Sequence, residues 1–180
     1  KKVSILFFIF FISEASATIK SNIVQNLQNI YNLSFKFEQN INGKIENGRC
    51  TIEYPKKIFC EYSKSKNKIL VSNGKSLVIK TRVSYYRYPL EKTPLNLILD
   101  KNFLINKIFN LEERIIDNNI VNYKILNNDN ELSLFFDKNT YSLIGWQNID
   151  IYQNFNITFL SSIRRNIALP KNLFLLPPNN

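Results

Sequence analysis

After residue 34 the hydrophobic period of this chain drops to two and keeps returning to it, which commits most of the chain to strands. Phe35, Phe37 and Ile41 alternate with Lys36, Glu38 and Asn40. Asn42-Gly43 then supplies residues that tolerate the positive φ of a hairpin turn. Strand-like runs follow at 44–53, 58–63, 68–72, 76–80 and 83–88, with Asn73-Gly74 marking a second tight turn. Later runs at 120–126, 131–137, 143–152 and 155–160 are separated by Asn- and Asp-rich turns, and 167–176 closes the chain in extended form. Helical spacing occurs twice. Residues 18–31 carry Ile19, Ile23, Leu27 and Ile30 on one stripe, and 93–99 has Pro94 at a first helical position. Residues 106–117 fit either period. The expected fold is mainly β with a few helices, a meandering antiparallel sheet that must bury one face.

Composition removes several classes of function. The chain has no histidine, so Ser-His-Asp and Cys-His nucleophiles and every His-based metal site are excluded. Only four glycines are present, too few for phosphate-cradling loops. The net charge of +10 could suit nucleic acid, yet the basic residues are scattered singly and accompany 27 Asn, a pattern of AT-rich coding bias. No nucleic-acid partner is expected. Glu112-Glu113 and Asp129/Glu131 are paired carboxylates by sequence but sit in polar, turn-like stretches and read as solvated charges, so no enzyme activity, metal or cofactor is expected.

Lys1 and Lys2, the apolar run 3–12 and Glu14-Ala15-Ser16-Ala17 are the three parts of a secretory signal peptide. The apolar run is far short of the ~20 residues that span a bilayer. The expected organisation is a signal peptide over 1–17, cleaved before Thr18, and a single exported domain over 18–180. Export bears on Cys50 and Cys60. A three-residue loop at 54–56 would set residues whose numbers sum to 110 opposite each other, these two included. They are either a disulfide or two small buried hydrophobes.

The aromatic content, 14 Phe, 9 Tyr and Trp146, suits a packed core or the lining of a curled sheet. Several segments are more specific. Phe35-Lys36-Phe37-Glu38-Gln39, the Gly48 to Pro55 strand, Cys60-Glu61-Tyr62 and Ile69 to Lys75 occur in an order that resembles the LolA-type periplasmic lipoprotein carriers. The stretch Tyr88-Pro89-Leu90-Glu91-Lys92-Thr93-Pro94-Leu95 is similar to alphaproteobacterial members, and the end from Ile163 to Pro177 also fits.

That resemblance implies a curved, incomplete antiparallel β-barrel with a helical lid over a hydrophobic cavity. It implies a monomeric periplasmic chaperone. Such a protein takes acyl chains of lipoproteins from an inner-membrane ABC transporter and delivers them to an outer-membrane receptor or to the outer membrane itself. A general lipid-binding or regulatory periplasmic protein of the same fold is the alternative. The expected cavity wall is Phe35, Phe37, Ile41, Ile52, Ile58, Tyr62, Leu70, Leu77, Ile79 and Trp146, closed by a lid of Leu27, Tyr54, Leu95, Ile98 and Leu99. Tyr54 stands where many members carry an Arg that holds the lid. A phenol offers one donor where a guanidinium offers five. The expectation is that Tyr54 packs under the first helix and donates one hydrogen bond to a helix carbonyl.

Overall fold

The computed structural model describes residues 18–64, 67–127, 130–149 and 153–179. The signal-peptide expectation for 1–17, Asp129 and the end of the strand expected to reach Tyr152 lie outside them. Eleven antiparallel strands form one sheet: β1 (Asn32–Ile41), β2 (Lys44–Glu53), β3 (Lys57–Tyr62), β4 (Ile69–Asn73), β5 (Ser76–Lys80), β6 (Tyr85–Pro89), β7 (Arg114–Ile116), β8 (Ile120–Asn127), β9 (Asn130–Asp137), β10 (Leu143–Ile149) and β11 (Phe155–Arg165). Their order is β6-β5-β4-β3-β2-β1-β11-β10-β9-β8-β7. Two meanders are therefore joined by the pairing of β1 with β11. β6 and β7 remain edges, so the sheet curls as an incomplete barrel.

The helices are α1 (Ile19–Gln28), α2 (Leu95–Ile98) and α3 (Lys101–Asn110), with a 3-10 turn at Leu90–Lys92 before α2. The Thr18 hydroxyl accepts from the Ser21 amide and caps α1. Ile23, Val24 and Leu27 of α1 and Leu104 and Ile108 of α3 are buried in one cluster with Leu33, Ile52, Val121, Tyr123, Leu134 and Phe136. The two long helices thus fill part of the concave side of the sheet as core.

Alternation correctly places the β2–β3 hairpin. Gly48 faces Tyr62, Cys50 faces Cys60 and Ile52 faces Ile58. Several boundaries differ from those read in the sequence. β6 begins at Tyr85 rather than residue 83 because the Thr81 hydroxyl accepts from the Val83 and Ser84 amides and folds 81–84 into a turn. α3 begins at Lys101, where the Asp100 carboxylate accepts from the Phe103 amide. The ambiguous window 106–117 contains the end of that helix and the start of β7. β11 runs on to Arg165 through a register shift against β1 between Ser34 and Lys36.

The C-terminal segment joins no strand, and the extended form expected over 167–176 is interrupted by a turn at 171–174, where the Leu173 amide donates to Pro170 O and the Leu175 amide to Asn172 O. It runs beside the convex face of β2–β5, with Phe174 under the Lys57 ammonium and the Pro178 carbonyl accepting from Lys80. Val71 and Val78, paired on that face, are fully buried.

Candidate functional site

A cavity of about 280 Å³ opens between the concave face and the segment that carries α2. That volume lies near the low end of the roughly 300–1,000 Å³ typical of small-molecule sites. Its walls come from strands on both sides of the β1–β11 seam, so neither meander alone could form it.

Nine of the ten residues expected in the wall line it: Phe35, Phe37, Ile41, Ile58, Tyr62, Leu70, Leu77, Ile79 and Trp146. Ile52 does not. It is on the expected face, but two residues beyond Cys50 that face is already covered, and Ile52 is fully buried in the core. Of the five lid residues, only Leu95 reaches the cavity. Leu27 belongs to the core because α1 lies over the packed part of the sheet. Ile98 and Leu99 are fully buried anchors of the α2 segment. The Lys56 amide donates to the Leu99 carbonyl, and the Leu90 amide donates to the Lys75 carbonyl, both at 2.9 Å. The roof is therefore tied to two hairpin turns, and Thr93, Pro94 and Leu95 between those ties face inward.

Tyr54 is half-buried and packs against the core, and its hydroxyl is buried with no hydrogen-bond partner among the described residues. Burial pushes that phenol well above its ordinary pKa. At the C-terminal end of α1 the donor is instead Lys101, whose ammonium donates to Gln28 O (3.1 Å) and, just beyond the helix, to Ile30 O (2.9 Å). A charged donor suits the negative end of α1 better than a neutral phenol.

The apolar wall depends on a glycine. Gly48 sits between Phe37 and Tyr62 on adjacent strands, and their rings meet edge to face 5.1 Å apart. A Cβ at Gly48 would lie 2.6 Å from the Phe37 ring and 2.1 Å from the Glu61 carbonyl oxygen. Phe35 meets Trp146 edge to face at 6.3 Å across the β1–β11 seam. Cys50 and Cys60 form a cross-strand disulfide, with Cα atoms 4.1 Å apart, that also lines the cavity.

Sequence reading missed the other end of the cavity, which is polar. Gln39, Glu46, Lys68, Asn148, Asn156 and Thr158 line it. Gln39 faces both Glu46 and Thr158, and Asn156 faces Asn148, so these side chains form two adjoining rows across β2, β1, β11 and β10. Glu46 is 6% exposed. Its carboxylate accepts from Lys68 at 2.5 Å and pairs with Lys44 at 3.3 Å. Burial works to raise the Glu46 pKa, but the hydrogen bonds and charges of Lys68 and Lys44 outweigh it and hold the carboxyl below its ordinary value. The Lys68 ammonium also lies 3.9 Å from the centre of the Tyr62 ring. Parity could have flagged this end: Gln39 shares the face of Phe35, Phe37 and Ile41, and Glu46 that of Cys50.

Among the described residues, no cluster of three metal-ligating side chains occurs and no helix is long and apolar enough to cross a membrane. Glu112 and Glu113 are exposed, and Glu131 pairs with Lys124 at 2.9 Å.

One solved structure shares the architecture. An uncharacterized conserved protein from Thermus thermophilus is 9% identical with a TM-score of 0.54, covering 90% of this chain and 93% of that one. At that identity the likeness shows the fold alone. A LolA superfamily protein from Nitrosomonas europaea is 8% identical with a TM-score of 0.46, covering 89% of this chain and 99% of that one. No curated protein matches the sequence significantly. The profile of one family, described as outer membrane lipoprotein carrier protein LolA, matches residues 28–176, and with most of its length so matched the chain belongs to the LolA family.

Proposed function

We propose that this protein is a periplasmic carrier that shelters the acyl chains of lipoproteins between the inner and outer membranes. The observation that supports it is the apolar wall: nine aromatic and aliphatic side chains from five strands converge on one cavity in a chain of the LolA family. Nothing in that wall is arranged for catalysis. A cavity of this kind binds.

The energetics suit a carrier. Burying a methylene contributes ~0.8 kcal/mol, so a 16-carbon chain leaving a membrane needs roughly 12 kcal/mol of replacement contacts. Aromatic walls supply large contact area while leaving few rotamers to freeze on binding. The donor in this reading is an inner-membrane ABC transporter, and the acceptor is an outer-membrane receptor or the outer membrane. The carrier acts as a monomer, exported by cleavage of residues 1–17.

The test is direct. Protein purified from its native periplasm is extracted and analysed by mass spectrometry. Co-purifying acyl chains or acylated polypeptide support the reading, and a preparation free of both overturns it.

A further inference from the structure

We infer that the polar end of the cavity is a subsite for an acyl linkage that carries a hydrogen-bond donor, so that an acyl amide is selected over the matching acyl ester. This inference rests on the proposed acyl-binding role and adds which chemical class of acyl group the site prefers.

The polar end is built and buried. Thr158 is 2% exposed, Glu46 6% and Asn148 7%, so these side chains are not a solvated rim around the mouth. Most of the hydrogen-bonding groups are committed. Gln39 donates to the Thr158 hydroxyl at 3.3 Å, and both Glu46 oxygens are engaged by lysines. The Asn156 carboxamide oxygen is different. It is buried and meets no donor among the described residues, although its side chain lines the cavity. A buried acceptor left unmet is costly, and a guest bearing an N–H or O–H would recover that cost. Lys68 also lines the cavity and has three N–H donors; among the described residues its ammonium donates to Glu46 and sits over the Tyr62 ring. The remaining donor suits a carbonyl oxygen.

An acceptor and a donor at the polar end of an apolar cavity are the complement of –C(=O)–N–H at the head of a hydrocarbon chain. The carbonyl faces Lys68, the N–H faces Asn156, and the chain runs toward Phe35, Leu70 and Leu77. An ester offers the same carbonyl but replaces the N–H with an oxygen, whose lone pairs would face the lone pairs of Asn156. Sites built to pair a donor discriminate against isosteres that lack it, because the site's own polar group is then left unpaired.

The experiment uses two probes that differ in that single group, N-methyldodecanamide and methyl dodecanoate, competing with a fluorescent fatty-acyl probe on the purified full protein. The amide is expected to displace the probe at about tenfold lower concentration than the ester, the effect of one net hydrogen bond. In Asn156→Leu the amide-to-ester ratio is expected to fall to near one. The wild-type ratio is itself decisive, so a variant that does not fold leaves the test intact. Equal displacement by amide and ester in the wild-type protein overturns the subsite while leaving acyl binding standing. Failure of the fluorescent probe to bind at all overturns the acyl-binding role instead. A ratio that persists in Asn156→Leu overturns the assignment to Asn156.

Discussion

Tyr54 and Glu46 each bury a polar group, and their surroundings give those groups opposite energetics. The Tyr54 hydroxyl has no partner among the described residues, so its desolvation is not offset. Tyr54→Phe removes that group and keeps the ring, and it should raise stability by about 1 kcal/mol, read as a higher urea midpoint at unchanged m. A lower midpoint would show that the hydroxyl is satisfied after all. Glu46 is the reverse case, since Lys68 and Lys44 hold its pKa below 4.5. A carboxyl with a depressed folded pKa contributes stability that is present above its unfolded pKa and lost as pH falls through its folded one. Thermal stability should therefore decline below about pH 4.5, and Glu46→Gln should make that decline shallower while lowering stability at pH 7. Parallel pH profiles for the two proteins would remove Glu46 from the account.

At the scale of strands, two of the four glycines set how aromatic rings pack. Gly48 on the concave face and Gly145 on the convex face each lie between two aromatic residues of the flanking strands. In each case the rings close over the middle strand: Phe37 with Tyr62, and Phe135 with Phe159 at 6.0 Å. A missing side chain is replaced by neighbours that would otherwise be held apart. Gly48→Ala should lower stability by about 1–3 kcal/mol and weaken acyl binding, because the Glu61 carbonyl cannot withdraw without breaking the β2–β3 ladder. Full stability in that variant would mean the hairpin shifts freely. This element was well marked in the sequence. Loop length fixed the pairing of Gly48 with Tyr62, and alternation put Phe37 on the same face. The start of α3 was not, since it rests on one capping contact from Asp100 and the following window mixes helix with strand. The polar end of the cavity escaped for a different reason. Gln39, Glu46 and Asn156 read as solvent-facing by type, and only their parity within β1, β2 and β11 sets them inward. The role of the long helices was not legible either, because an amphipathic stripe announces burial without saying whether it covers a lumen or fills a core.

Across the whole molecule, the concave side is divided between two duties. α1 and α3 occupy one part as permanent core, and the roof of Thr93, Pro94 and Leu95 covers the part that stays open. The first part holds the curled sheet in shape, so the second can remain underpacked without collapse. An underpacked cavity leaves wall atoms without contacts, and a guest supplies them. Binding to the folded state alone then stabilises it by RT ln(1 + [L]/Kd), about 2.7 kcal/mol at a hundredfold excess over Kd. For a chain of this size that corresponds to a rise of roughly 5–11 °C in Tm. A saturating dodecanoyl amide should produce such a rise in the wild-type protein. Phe37→Glu should abolish it, because an ionised carboxylate in the middle of the wall would have to be desolvated by the arriving chain. Phe37 is 5% exposed and touches Tyr62, so this variant is expected to melt lower without ligand; the quantity that decides is its ligand-induced shift. An undiminished shift in folded Phe37→Glu would place the bound chain somewhere other than this cavity.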